Sequence, residues 1–120
     1  MTEKQKCQCQ QICTHYGIES QKGILTEECA ELIQAVSKLT RAEQSGKTFD
    51  RTQAMFNLAE ECADVTIMIQ QILSHYFGDE AEKRLDYFIN QKLTRQMGRI
   101  ESDKGISDNA YLSKRWLETR

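Results

Sequence analysis

The sequence predicts an all-α protein. Proline is absent from its 120 residues and glycine occurs only six times, whereas β-sandwiches and barrels are punctuated by frequent turn residues. Apolar residues recur at spacings of three and four along much of the chain, which is the period of an amphipathic helix. A chain this short buries only about two-thirds of its unfolded surface. We therefore expect a helical core, which packing against partner subunits would help to complete.

The four predicted helices are separated by glycine-containing turns. Gly17 ends the first helix, because glycine readily adopts the backbone conformation found just after a helix C-terminus. The loop at residues 44–48 contains Gly46, and Gly78 precedes a capping-box-like start at Asp79. The predicted spans are residues 2–16, 20–43, 50–76 and 79–100. We expect one helical domain over residues 1–105 and a C-terminal arm or short helix over residues 106–120.

Charge and composition narrow the range of partners. The formal net charge is −2, which gives no overall field that attracts nucleic acid. No run approaches the roughly 20 apolar residues of a membrane span, and the polar first residues do not resemble a signal peptide. These observations predict a cytoplasmic protein that binds neither nucleic acid nor membrane, with its five cysteines reduced. The role of the cluster Cys7, Cys9 and Cys13 is left open, a soft-metal site being the less favoured alternative to helix packing.

One acidic motif occurs twice. The segment Glu27-Glu28-Cys29-Ala30-Glu31 is echoed by Glu60-Glu61-Cys62-Ala63-Asp64. Residues three apart on a helix differ by about 60° in direction, so each motif projects two carboxylates side by side. Glu28 and Glu61 also interrupt the apolar stripes of their helices, where an unpaired charge costs several kcal/mol. We therefore predict that the acids face one another and bind a divalent cation.

The type of ligand predicts which cation. Carboxylate oxygens without histidine suit Mg²⁺, or Mn²⁺, better than zinc or iron. Mg²⁺ that is held by few protein groups is commonly completed by substrate phosphates. Lys92, Arg95 and Arg99 recur at spacings of three and four and could stabilise charge on such phosphates. One alternative is that the acids are solvated surface charge, which a single copy of such a motif would usually be. A second alternative is a helical interaction module whose acids form salt bridges to a partner.

The paired motif resembles that of the MazG-like all-α nucleoside triphosphate pyrophosphohydrolases. The resemblance covers roughly residues 18–100 and includes Asn90-Gln91-Lys92-Leu93-Thr94-Arg95, which is similar to a basic segment of that family. It implies hydrolysis of an NTP or dNTP to the monophosphate and pyrophosphate, by a dimer or tetramer. It also implies Mg²⁺ ligands at Glu28, Glu31, Glu61 and Asp64, and phosphate contacts at Lys92, Arg95 and Asn90.

The resemblance leaves several assignments open. No catalytic residue is assigned beyond the metal ligands, although Glu27 or Glu60 could orient the attacking water. His15, Tyr16 and Gln21 are candidates for the base pocket, and packing roles are equally compatible with them. The preferred base and sugar and the number of metal ions are undetermined. A related substrate such as phosphoribosyl-ATP is the alternative within the same class of enzymes.

Overall fold

The computed structural model describes the backbone of residues 1–114 and the side chains of residues 1–105. The prediction of an all-α fold is confirmed, since the described residues form helices and contain no strand. The elements are α1 (Glu3–Tyr16), α2 (Ile18–Ser45), α3 (Thr48–Phe77), a short 3₁₀ turn (Gly78–Glu80) and α4 (Ala81–Lys114).

The ends of the helices follow from local sequence. Thr2 and Gln5 form a capping box at the start of α1, in which the Thr2 hydroxyl accepts from the Gln5 N–H at 3.1 Å and the Gln5 side chain accepts from the Thr2 N–H at 2.8 Å. Gly17 and Gly46 follow α1 and α2 with φ of 89° and 71°, which a residue with a side chain rarely adopts. The predicted turns at both glycines are confirmed.

Helices α2 and α3 form an antiparallel pair, and α1 packs mainly against α3. Three polar contacts join α2 to α3 along their length: Gln21 Nε2 donates to Gln71 Oε1 at 2.9 Å, Lys22 Nζ donates to Tyr76 Oη at 3.4 Å, and Arg51 Nε lies 3.9 Å from Glu43 Oε2. The motifs at residues 27–31 and 60–64 therefore lie at the same level of the pair.

The buried core is small for a chain of this length. Its apolar members among the described residues are Cys9, Cys13, Ala35, Val65, Met68 and Ala81. The apolar residues that recur at helical spacing on α3 differ in how far they are buried. Val65 and Met68 are buried, whereas Met55, Cys62 and Ile69 are exposed, because two neighbouring helices cover only part of the circumference of α3. The largest side chain that is fully buried is polar, that of Gln71.

The chain divides into two compact units, Met1–Ala81 and the part from Glu82 onward. In the second unit, α4 continues beyond its predicted end near Ile100, through residue 105, to Lys114. The charge-rich stretch at residues 101–105 does not stop the helix, because it lacks proline and its one glycine costs only about 1 kcal/mol in a helix interior. Trp116 and Leu117 of the predicted arm lie outside the described residues.

The five cysteines form no disulfide with one another. Cys9 and Cys13 are buried on α1 and Cys7 is exposed, and burial raises the pKa of the Cys9 thiol. Among the described residues, the cysteines do not take part in any group of three side chains with metal-binding geometry. No helix in this part of the chain has the length and apolar character needed to cross a membrane.

Candidate metal centre

The two acidic motifs meet in the first compact unit. Glu28 and Glu31 project from α2, and Glu61 and Asp64 project from α3. One carboxylate oxygen from each of the four residues lies within 4.8 Å of the corresponding oxygens of the other three. The predicted facing of the two pairs is therefore present in the structure. We call these four residues the acidic cluster.

The four carboxylates differ in exposure. Glu28 and Glu61, which interrupt the apolar stripes of their helices, are half-buried, whereas Glu31 and Asp64 are exposed. Residues at i and i+3 point about 60° apart, and this rotation carries Glu31 and Asp64 away from the contact between α2 and α3. The acidic cluster therefore has an inner pair between the helices and an outer pair that solvent reaches.

Each residue of the inner pair has a polar atom without a partner. Glu28 Oε2 and Glu61 Oε2 are inaccessible to solvent and accept no hydrogen bond. A buried oxygen in this state has lost its contact with water without gaining a hydrogen bond in exchange. Native proteins leave few such atoms, and a bound ion or water is a recognised partner for them.

The charges of the cluster act in the same direction. Burial raises the pKa of Glu28, and the charges of Glu31, Asp64 and Glu61 raise it further. The pKa of Glu61 is also raised, first by burial and then by Glu31 and Asp64. Without a cation, the inner pair is thus held towards the neutral state.

Acids elsewhere in the same unit have basic partners. Glu3 pairs with Lys6 at 3.2 Å, Glu19 with Lys22 at 3.0 Å, and Glu43 with Arg51 at 3.9 Å. In this unit, Lys22 and Arg51 thus pair with acids outside the acidic cluster. The cluster concentrates negative charge that neither of these basic residues neutralises.

The donor set fits a hard divalent cation. All four groups offer oxygen, and neither imidazole nor thiolate joins them. Mg²⁺ is usually bound through a few carboxylates and retains several waters, which agrees with two exposed and two half-buried ligands. The unpartnered oxygens of Glu28 and Glu61 are the atoms that such an ion would contact.

The predicted phosphate-binding residues lie on α4, in the second unit. Asn90, Lys92 and Arg95 are all exposed, as is Arg99. By helical spacing, Lys92, Arg95 and Arg99 share one side of α4. Their approach to a nucleotide at the acidic cluster remains a prediction.

The candidates for a base pocket have separate environments. Gln21 is buried and bonded to Gln71, so a packing role accounts for its position. His15 and Tyr16 are exposed, and their rings meet edge-to-face with centroids 4.7 Å apart. No role for Gln71 was predicted from the sequence, although Gln71 lies three residues after Met68 and six after Val65, which are both buried on the same helix. Glu27 and Glu60 are exposed beside the cluster, and the charge of Glu60 also raises the pKa of Glu61.

Comparison with protein-family models, with curated proteins and with solved structures finds no match to this chain.

Proposed function

We propose that this protein is a Mg²⁺-dependent nucleoside triphosphate pyrophosphohydrolase of the MazG-like type, acting as a homodimer or homotetramer. The observation that carries the proposal is the pair of inaccessible, unpartnered oxygens, Glu28 Oε2 and Glu61 Oε2, within a cluster of four carboxylates. A site with four facing acids is costly to fold unless a cation occupies it in the working protein.

The reaction would be hydrolysis at the α-phosphorus of an NTP or dNTP. Water adds to the phosphorus, the bond to the bridging oxygen breaks, and the products are a nucleoside monophosphate and pyrophosphate. Bound Mg²⁺ supplies neutralisation of the triphosphate and a lowered pKa for a coordinated water. Mn²⁺ has the same preference for oxygen ligands and is expected to substitute.

The chain's own groups divide the remaining work. Glu28, Glu31, Glu61 and Asp64 would hold the ion, and the packing of α2 on α3 would position the inner pair. Lys92 and Arg95 bind phosphate oxygens and stabilise charge on the leaving pyrophosphate, with Asn90 as a further contact. Glu27 and Glu60, which precede Glu28 and Glu61 in the sequence, are further carboxylates that could accept a proton from the attacking water.

A panel of NTPs and dNTPs, with phosphoribosyl-ATP included, tests the proposal. We expect pyrophosphate release from at least one member in the presence of Mg²⁺ and none with excess EDTA. The released product distinguishes the reaction from removal of the terminal phosphate, which would give inorganic phosphate. If no member is hydrolysed and Mg²⁺ leaves the melting temperature unchanged, the protein is instead a helical interaction module whose acids bind a basic partner.

A further inference from the structure

A cleft on α3 brings two exposed aromatic rings together with amide groups. Its volume is about 490 Å³, and its lining residues are Phe49, Thr52, Gln53, Phe56, Asn57 and Glu60. Phe49 and Phe56 are 71% and 70% exposed, whereas phenylalanine is usually among the most buried residues. Exposed apolar groups that are rimmed by polar ones mark binding surfaces. We call these six residues the aromatic cleft.

The aromatic cleft and the outer pair of the acidic cluster occupy the same side of α3. Asn57 lies seven residues before Asp64, so the two differ by about 20° in direction around the helix. Glu60 differs from Asp64 by about 40°, and Phe49 and Phe56 differ from it by no more than about 80°. Along the helix axis, Glu60 lies about 6 Å from Asp64 and Phe56 about 12 Å, at about 1.5 Å per residue. The cleft therefore begins beside the candidate metal site and continues away from it.

Helix α2 continues the same side of the helix pair. Lys38 lies seven residues after Glu31, as Asn57 lies seven residues before Asp64. Because α2 and α3 are antiparallel, Lys38 and Asn57 both lie towards the end of the pair where Gly46 joins the helices. Lys38 is exposed and Asn57 is half-buried. The surface between the outer pair and this end is therefore open to solvent.

Packing closes the same surface in the opposite direction. Gln71, seven residues after Asp64, is only 1% exposed and accepts a hydrogen bond from Gln21. Helix α1 covers this half of α3 and leaves the other half uncovered, because the first residue of the chain, Met1, lines one cavity with Ala59. Residues 48–57 of α3 therefore lie beyond the start of α1. Within the first unit, the open path from the acidic cluster leads to the aromatic cleft.

We infer that the aromatic cleft binds the nucleobase of a nucleotide whose phosphates are held at the acidic cluster. The base would stack on the ring of Phe56, and Phe49 would close the far end of the cleft. The amides of Asn57 and Gln53 would meet the edge of the base, since an amide offers both a hydrogen-bond donor and an acceptor. Lys38 adds a positive charge beside the path, which suits the α-phosphate.

The cleft has the size and the chemistry of such a subsite. Its volume of about 490 Å³ lies within the range of about 300–1,000 Å³ for small-molecule pockets. Stacking on an aromatic ring tolerates every base, because every base has a π-face. We therefore expect the cleft to accept purines and pyrimidines. The inference rests on the proposed function, since it takes the phosphates to be bound through Mg²⁺ at the acidic cluster.

Calorimetric titration of the full chain with two probes, in buffer that contains Mg²⁺, tests the inference. α,β-Methylene-ATP carries a base and resists cleavage at the proposed bond, whereas inorganic tripolyphosphate carries phosphates alone. Phe56→Ala should weaken binding of the first probe about tenfold, within the range of one base–aromatic stack, and should leave binding of the second unchanged. Phe56→Trp should retain the wild-type affinity for the first probe. Phe56→Leu should not, because leucine is apolar but has no π-face.

Ile33→Ala is the matched control for the loss of an exposed apolar side chain. Ile33 is 70% exposed, the same fraction as Phe56. It lies two residues after Glu31 and so points about 160° away from it around α2. Ile33→Ala should leave the affinities for both probes unchanged. An equal loss of α,β-methylene-ATP affinity in Ile33→Ala and Phe56→Ala would overturn the inference.

The remaining outcomes separate this inference from the proposed function. Binding of both probes with no effect of Phe56→Ala would overturn the inference and leave the metal site in place. Loss of α,β-methylene-ATP affinity in Tyr16→Ala, with Phe56→Ala unaffected, would overturn it by assigning the base to the end of α1. A changed sedimentation rate of Phe56→Ala with unchanged nucleotide affinity would overturn it by assigning the cleft to a protein contact. Binding of neither probe to the wild-type protein would contradict both proposals.

Discussion

Two pairs of polar side chains lie between α2 and α3, and they differ in whether their buried atoms have hydrogen-bond partners. Gln21 and Gln71 are both buried, and the amide of one donates to the carbonyl oxygen of the other at 2.9 Å. Glu28 and Glu61 lie at the middle of the same helix pair, yet each retains an inaccessible oxygen without a partner. The glutamine side chains are hydrogen-bonded to each other, whereas each glutamate has one buried oxygen without a partner. This difference separates a structural polar contact from a candidate binding site.

The largest expected effect on activity comes from substitution of Glu28 or Glu61, the two glutamates with an unpartnered buried oxygen. Glu61→Gln and Glu28→Gln should each lower the Mg²⁺-dependent rate of pyrophosphate release more than about 100-fold. Loss of a group that only hydrogen-bonds to a metal ligand already lowers metal affinity or activity by about 10- to 100-fold, and we expect loss of a ligand itself to cost more. Glu43→Gln is the matched control on α2, since it disturbs only an exposed ion pair worth about 0–1 kcal/mol. Steady-state rates with the best nucleotide of the panel provide the measurement. Full activity in Glu61→Gln would remove the cluster from the mechanism.

A smaller loss is expected on α4. Lys92→Ala and Arg95→Ala should each reduce kcat/KM by about 10- to 100-fold, the range of a charged hydrogen bond worth about 1.5–3 kcal/mol. Lys83→Ala is the control, because Lys83 is exposed on α4 about 180° around the helix from Lys92. Raising the salt concentration should reproduce part of the loss. Equal effects of all three substitutions would show that only the general charge of α4 matters.

Substitution in the Gln21–Gln71 pair should lower the stability of the protein and leave the activity of each folded molecule unchanged. Gln71→Ala leaves the buried Gln21 amide without its acceptor and should lower the free energy of unfolding by about 1–3 kcal/mol. Gln53→Ala, on the exposed side of α3, should change it by less than about 0.5 kcal/mol. Urea denaturation of the metal-free proteins measures both. Similar values for the two variants would mean that the buried glutamine contact adds nothing to stability.

The smallest expected effect is a pH dependence of the metal-free protein. The pKa of Glu28 and of Glu61 is raised above the ordinary value of 4.5 in the folded state, so the folded chain binds more protons than the unfolded chain just above that pH. Their contribution to stability therefore decreases as pH rises through this window. The double variant Glu28→Gln/Glu61→Gln should show a weaker decrease than the wild-type protein in EDTA. An identical pH profile for the two proteins would show that the cluster is not electrostatically strained.

Much of the fold was accessible from spacing and turn residues. Gly17 and Gly46 marked real helix ends, because their backbone conformations exclude most side chains. The end of α4 was predicted too early, since charged residues without proline do not interrupt a helix. The facing of the two acidic motifs was also predictable, because two helices joined by a short loop run antiparallel.

The remaining features depend on contacts that periodicity alone does not rank. Apolar residues recur along α3 at helical spacing, but their burial depends on how many helices pack against α3. Met55 and Ile69 remain exposed. The pairing of Gln21 with Gln71 could not be predicted, because the sequence pattern does not distinguish a buried glutamine from an exposed one. Glu28 and Glu31 point about 60° apart, and which of the two lies closer to α3 depends on the packing of the helices, which is a tertiary property.

The most direct test of the central claim is Mg²⁺ binding by calorimetry in the absence of nucleotide. We expect saturable Mg²⁺ binding to the wild-type protein and to Glu43→Gln, with a higher melting temperature at saturation. It also predicts that binding is lost in Glu28→Gln/Glu61→Gln, which should remain folded. Unchanged binding in that double variant, or no binding to the wild-type protein, would contradict the claim that the acidic cluster is a magnesium site.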